Sequence, residues 1–240
     1  MSIEKLKEWI ERSDNIVFFG GAGVSTESGI PDFRGEEGIF KTVSEYGVRP
    51  ETILSHSFFV RNKEIFFEYY KTQLLFPDAK PNATHYALAE LEKQEKLKAV
   101  ITQNIDDLHQ KAGSKNVLEL HGTLYRNYCI KCGAVYGLEY VQNSKGITKC
   151  EKCSGIVRPD VVLYEESLNE EVMSKAVEYI SKADVLIVGG TSLNVYPAAG
   201  LINYYRGKKL VLVNKSTTSF DGRADLCLHM NIGDVFKEII

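Results

Sequence analysis

Gly20-Gly21-Ala22-Gly23-Val24-Ser25-Thr26-Glu27-Ser28-Gly29-Ile30-Pro31-Asp32-Phe33-Arg34 is the stretch whose reading decides the fold. It follows Asn15 to Phe19, an apolar run that reads as a buried strand. Small residues directly after a strand let backbone N–H groups come close to a phosphate, and a helix starting there aims the positive end of its dipole at the anion. The stretch therefore reads as a dinucleotide site built around Gly21, Ala22 and Gly23. The common fingerprint asks for GxGxxG and, about twenty residues on, an acid for the ribose 2′-hydroxyl. This chain departs from it: Ser25, Ser28, Gly29, Pro31 and Arg34 form an irregular polar loop in which glycine and proline break regular structure. Asp32, Phe33 and Arg34 then set an acid, an apolar plate and a phosphate-pairing guanidinium side by side. The plain alternative is a glycine-rich turn that binds nothing, and the ordered polar tail weighs against it.

Working outward, Ile3, Leu6, Trp9 and Ile10 recur at helical spacing and predict an amphipathic helix over 2–12. The segment 35–76 reads as a helical insert rich in aromatics, with a stripe at Phe59, Phe66, Phe67 and Tyr70 that suits core packing. Alternating strands and helices resume with a helix from Pro81 to Glu92 and a strand at Lys98 to Ile101. In an open parallel sheet ligands sit off the carboxyl ends of strands, which places Gln103, Asn104 and Asp106 in the same crevice as the glycine turn. Helix capping explains Asn104 and Asp106 equally well at this stage. Val117 to Leu120 predicts another strand, ending at His121-Gly122, where a general base is often found. Further on, Asp184 to Val188 and Lys209 to Val213 read as strands ending in Gly190-Thr191-Ser192 and Asn214, and a last helix begins near Asp234.

Cys129-Ile130-Lys131-Cys132 and Cys150-Glu151-Lys152-Cys153 are two CxxC pairs separated by 17 residues, the spacing of a tetrahedral four-cysteine zinc site. Four thiolates leave no open coordination position, so such a zinc is structural. The fifth cysteine, Cys227, has no such partner and is expected to be buried. At 240 residues and a net charge of −3 the chain can bury a full core, and it has no polybasic block of the kind general nucleic-acid binding needs. No apolar run approaches the eighteen or so residues of a membrane span, and the start lacks the basic-then-apolar order of a secretory signal. A soluble, cytoplasmic protein is expected.

The motifs together resemble those of the sirtuins, NAD-dependent protein lysine deacylases: GAGVSTESGIPDFR at 21–34, PNATHYALAELE at 81–92, TQNIDDLHQKAGS at 102–114, His121-Gly122, both CxxC pairs and GTSLNVYPAAGL at 190–201. The resemblance implies an α/β protein: a Rossmann-like parallel-sheet domain (1–34, 77–121 and 159–240) and a small domain made of a helical module (35–76) and a zinc ribbon (122–158). By position it makes Ala22, Thr26, Arg34, Gln103, Thr191, Ser192, Asn214 and Ile232 NAD contacts, and Phe33, Ile105 and Asp106 the nicotinamide pocket. Asn104 would sit beside the nicotinamide ribose, His121 would be the base, and Val162 would line the acyl-lysine channel. NAD is then a consumed co-substrate: loss of nicotinamide lets the amide oxygen of acetyl-lysine attack C1′, and His121 removes a ribose hydroxyl proton. The implied products are nicotinamide, free lysine and 2′-O-acetyl-ADP-ribose. The implied partners are acyl-lysine proteins or peptides, with no membrane and no sequence-specific nucleic acid, and the protein is taken as a monomer.

One departure concerns the peptide edge. Where the family commonly has an aromatic pair then Gly-Glu, this chain has Leu163-Tyr164-Glu165-Glu166, with Glu165 in the glycine position. Sirtuins that prefer succinyl or malonyl lysine also resemble one another in a Tyr-x-x-Arg pair, and Phe67 and Tyr70 stand at those positions in this sequence. Three rival functions are a dehydrogenase, a non-enzymatic zinc-ribbon module, and mono-ADP-ribosyl transfer from the same site. The first lacks its ribose acid and the second its basic face.

Overall fold

Continuous apolar runs that end in glycine or a small polar residue become the middle of a six-stranded parallel sheet. The computed structural model describes residues 2–32 and 42–239. Phe33 and Arg34, both read above as ligand contacts, lie outside the described residues. The strands of the large sheet are β1 (Ile16–Gly20), β2 (Leu97–Thr102), β3 (Val117–Glu119), β7 (Val185–Gly189), β8 (Leu210–Val213) and β9 (Leu226–Leu228). Their spatial order is β3-β2-β1-β7-β8-β9, every neighbouring pair parallel. Counted within this sheet alone the order is 3-2-1-4-5-6, the Rossmann arrangement, and its reversal point lies between β1 and β7.

All residues of β1 and β7 are buried, because helices cover both faces of the sheet. Alternation along β1 sends Ile16 and Phe18 into one apolar layer and Val17 and Phe19 into the other. The first layer is closed by the helices Ser2–Glu11, Ala83–Lys93 and Ile232–Ile239, the second by Glu170–Lys182 and the 3₁₀ helix Ala198–Tyr204. Where a regular helix is expected after β1, the chain makes two 3₁₀ turns, Ala22–Val24 and Thr26–Ser28. Neither is long enough to aim a helix dipole, so the turn can offer only close backbone approach. Cys227, expected buried, is only partly buried: it packs against the second layer from the edge strand β9, its thiol turned to the Asp221 carbonyl at 3.6 Å.

A second, antiparallel sheet has the order β5-β4-β6, from Val135–Gly137, Gly122–Cys129 and Val157–Val161. β6 pairs with β4 as far as Gly122↔Val161, past the break at 158/159 expected from sequence. Phe59, Phe66, Phe67 and Tyr70 are all buried in one cluster with Leu124, Val141 and Val157 of this unit, so the aromatic stripe is core as expected. Phe59 and Phe66 meet edge to face, with ring centroids 4.9 Å apart.

The helix Ala83–Lys93 starts with a reciprocal cap: the Asn82 side chain accepts from Thr84 N–H while the Asn82 N–H donates to His85 Nδ1 at 3.2 Å. His85 therefore carries its proton on Nε2. Its ring lies 4.7 Å from that of His109, and Nε2 of His85 and both ring nitrogens of His109 are buried without a hydrogen-bond partner among the described residues. Burial lowers the His85 pKa to about 4, and burial with the neighbouring His85 lowers that of His109 as well. With folded values below the ordinary 6.5, the unfolded chain binds more protons as pH falls under 6.5, so stability drops with acidification. The gap at His85, from 6.5 down to about 4, corresponds to about 3 kcal/mol lost by pH 4. Urea midpoints should be flat above pH 7 and fall through pH 6 to 4. His85→Gln should show a shallower fall, and an equal slope would disprove the assignment.

Candidate active site

The carboxyl ends of the strands bring the predicted polar residues to one edge. At the reversal point the turn after β1 and the turn after β7 interlock: Gly21 N–H donates to Gly189 O at 3.3 Å and Gly23 N–H to Gly190 O at 2.8 Å. A Cβ on Gly23 would stand 2.8 Å from Gly190 Cα, so no side chain fits between the two turns. Packing of turn on turn is thus a first use of these glycines that the motif does not announce. The Gln103 side chain crosses the same gap and donates to Thr191 Oγ1 at 3.0 Å, both residues being buried.

From β3 the chain delivers His121. Its Nδ1 lies 2.9 Å from the Gln103 carbonyl oxygen. A carbonyl only accepts, so Nδ1 carries the proton and Nε2 of the neutral ring is the acceptor nitrogen. The tautomer is set by backbone, which no side-chain exchange at position 103 removes.

Asn104 and Asp106 meet through a residue that the motif reading passes over. Asn104 Nδ2 donates to Ser25 Oγ at 3.0 Å, and Ser25 Oγ donates to Asp106 Oδ2 at 2.6 Å. Asp106 also accepts from Leu108 N–H at 3.0 Å, the first amide of the helix Leu108–Ala112, but the N-cap position of that helix is Asp107, so neither Asp106 nor Asn104 is its N-cap residue. Burial raises the Asp106 carboxyl, against the pull of its bonds from Ser25 and Leu108. Ser25 lies 81 residues from Asp106, and only its place in the polar loop marked it in advance.

Ala22, Asp32, Gln103, Asn104, Ile105 and Asp106 line one cleft. His121 and Val162 line the adjoining one, and Gln103 and Ile105 line both. Other predicted contacts are arrayed along the edge: Thr26 is exposed with its hydroxyl donating to Gly23 O at 3.0 Å, and Ser192 is exposed beyond β7. Asn214, after β8, donates to Ser216 O at 3.0 Å, and Ile232 is buried at the start of the last helix.

The four cysteines converge away from this edge. The sulfurs of Cys129, Cys132, Cys150 and Cys153 all lie within 4.8 Å of one another. Lys131 N–H points at Cys129 Sγ at 3.4 Å, and the Tyr136 hydroxyl lies 3.0 Å from Cys150 Sγ, the outer contacts that thiolate ligands need. A Cβ on Gly155 would come within 2.7 Å of Cys129 Sγ, so the knuckle closes on glycine. The donor set fits a four-coordinate zinc.

A family model described as the Sir2 family matches residues 21–197. The chain belongs to the Sir2 family. It is 60% identical over 239 residues to an NAD-dependent protein deacetylase of Clostridium perfringens, covering 99% of this chain and 98% of that one. A solved structure of Sir2 with p53 peptide and NAD+ superposes with a TM-score of 0.87 at 37% identity, covering 100% of this chain and 97% of that one. A second, Sir2 with an inhibitor, 2′-O-acetyl-ADP-ribose and deacetylated p53 peptide, gives 0.86 at 37% identity over 98% and 96% of the two chains.

In this Sir2-family chain the Glu165 departure carries a backbone cost. Glu165 has φ = 76°, in the left-handed region that glycine enters freely and a glutamate enters at a cost of about 1–2 kcal/mol. Beside it, partial burial pushes the Glu166 carboxyl up, but hydrogen bonds from Arg158, His56 and Leu163 outweigh this and hold it at about 2.

Proposed function

We propose that the protein is an NAD-dependent protein lysine deacetylase that removes neutral acyl groups, with His121 as its general base. The observation that carries the reading is the juxtaposition of two clefts sharing Gln103 and Ile105, with His121, its acceptor nitrogen Nε2 fixed by the tautomer, on the side lined by Val162. The relatives that carry NAD, p53 peptide and 2′-O-acetyl-ADP-ribose support it. NAD supplies the nicotinamide leaving group and the ribose carbon that takes the acyl oxygen. Ala22, Thr26, Gln103, Thr191, Ser192, Asn214 and Ile232 are assigned to hold it, Ile105 and Asp106 to form the nicotinamide pocket, and Asn104 to sit beside the nicotinamide ribose. Phe33 and Arg34 remain assigned from their motif alone.

His121 Nε2 accepts the ribose hydroxyl proton. The imidazolium keeps its Nδ1–H bond to the Gln103 carbonyl, so the added charge is met by a fixed dipole. Cys129, Cys132, Cys150 and Cys153 would hold one structural zinc. The division into a Rossmann-like unit and a helical-plus-ribbon unit, and a cytoplasmic monomer, complete the reading. Among the described residues, no helix is long and apolar enough to cross a membrane. The test is incubation with NAD and an acetyl-lysine peptide, in which nicotinamide should form in step with deacetylated peptide and 2′-O-acetyl-ADP-ribose. Label from NAD retained on protein would favour ADP-ribosyl transfer, and reduced-cofactor absorbance a dehydrogenase.

Acyl selectivity follows from the helical module. Phe67 and Tyr70 are fully buried, with the Tyr70 hydroxyl donating to Asn127 Oδ1 at 3.0 Å and kept neutral by burial. The neighbouring cation, Lys71, is committed elsewhere: Nζ donates to Ser144 O, Ser144 Oγ and Gly146 O at 2.8, 2.7 and 2.7 Å. A carboxylate buried without a fixed partner costs several kcal/mol. The kcat/KM on an acetyl-lysine peptide should exceed that on the matching succinyl peptide by at least about a hundredfold, or about 2.7 kcal/mol. Equal rates would require another cation in the channel.

A further inference from the structure

The cleft beside His121 is walled on one side by the run 161–166 and on the other by Val195, Tyr196 and Pro197. The first wall is fastened to the helical module. Tyr164 N–H donates to Leu54 O, and His56 N–H to Tyr164 O, both at 2.9 Å, a one-residue parallel bridge. One residue on, the Glu165 carboxylate accepts from Ser57 N–H at 2.9 Å and from Ser57 Oγ at 3.0 Å. Ser57 is in the first turn of the helix His56–Arg61, where amide groups have no partner within the helix, and Ser55 Oγ has already taken the Phe58 N–H. Glu166 closes the same joint. It accepts from Arg158 Nη1 and Nη2 at 2.7 and 3.0 Å and from Leu163 N–H at 2.9 Å, and pairs with His56 Nδ1 at 2.9 Å. The Arg158 guanidinium in turn stacks over the Phe59 ring of that helix, 5.2 Å from its centroid.

Glycine would make the turn at 165 without strain but would leave the lip untied at that point. A glutamate there accepts an unfavourable backbone in return for two hydrogen bonds across the seam. We infer that Glu165 is a positioning residue for the acyl-lysine peptide, holding the cleft wall in its binding form before the peptide arrives. The inference rests on the deacetylase reading of this cleft. A wall fixed in advance spares the peptide the ordering cost on binding, so the gain falls on peptide affinity and leaves NAD and chemistry alone.

The test is steady-state kinetics of the full chain with NAD and an acetyl-lysine peptide. Glu165→Gly should raise the peptide KM roughly five- to tenfold, what two lost hydrogen bonds and a freed lip amount to, with kcat and the NAD KM within about twofold of wild type. Glu165→Gln, whose Oε1 can still accept from Ser57, should fall in between. Ser57→Ala should also be intermediate, and adding it to Glu165→Gly should change nothing further. An unchanged peptide KM, or kcat and NAD KM falling together with it, would overturn the inference. So would an equal loss in the Gln and Gly variants confined to peptides with Lys or Arg beside the acyl-lysine, since the carboxylate would then act by charge on the peptide. A wild-type chain that releases no nicotinamide with peptide would instead fail the deacetylase reading, and this inference with it.

Discussion

His121→Ala should lower turnover on an acetyl-lysine peptide by about a hundred- to ten-thousand-fold, the usual loss on removing a general base, while NAD still binds. The separation of the two effects follows from the fold. The dinucleotide is assigned to the ends of β1, β2, β7 and β8, whereas His121 arrives from β3 and faces the adjoining cleft. Nothing in the interlocked turns of Gly23 and Gly190, nor in the Gln103 to Thr191 bond, passes through the imidazole. Calorimetric titration with NAD checks the first half and nicotinamide release with peptide the second. A variant retaining more than about a tenth of wild-type turnover would remove His121 from the role of base.

Removing the zinc should cost the small unit its fold. Structural zinc sites in finger peptides bind with roughly 10–16 kcal/mol, and in such modules that binding is the folding energy. In this chain Cys129 and Cys150 are buried in the same cluster as Phe66, Phe67, Tyr70 and Leu163, so the metal site is continuous with the core of the helical module. Cys150→Ala, or a strong chelator, is expected to lower the melting temperature sharply and to open 130–156 to proteolysis. Elemental analysis should give one zinc per chain. A metal-free chain, or a Cys150→Ala protein with unchanged melting and activity, would rule the site out.

The large sheet was legible because parallel strands buried on both faces must be apolar throughout, as Ile16-Val17-Phe18-Phe19 and Val185-Leu186-Ile187-Val188 are. β9 was not, since Leu226-Cys227-Leu228 is a three-residue edge strand with too little pattern to separate from a loop. β4 escaped for another reason: Gly122 to Cys129 mixes Thr, Arg and Asn with apolar residues and bulges between Thr123 and Asn127, so no strict alternation survives. The π-helical turn Tyr70–Leu74 likewise has no sequence period of its own. Within the site, the CxxC pairs were legible because metal geometry fixes local spacing, while the link from Ser25 to Asp106 depends on two loops meeting in space. The left-handed backbone of Glu165 was visible only as an odd residue in a motif, and its meaning came with Ser57.

Gly122 is where the chain leaves one sheet for the other. Its φ is +73°, and a Cβ there would stand only 1.9 Å from the Asp160 carbonyl oxygen. The proposed base at 121 and the first cysteine of the metal cluster at 129 are therefore joined by a single strand, Gly122–Cys129, eight residues long and bulged between Thr123 and Asn127. Such a span behaves as a lever whose fulcrum is a glycine. A shift at the metal end has this strand as its path to the imidazole, and the same strand lines the first cleft through Leu124 and Tyr125, so loss of the metal is expected to disturb the aim of His121 as well as the fold of the ribbon.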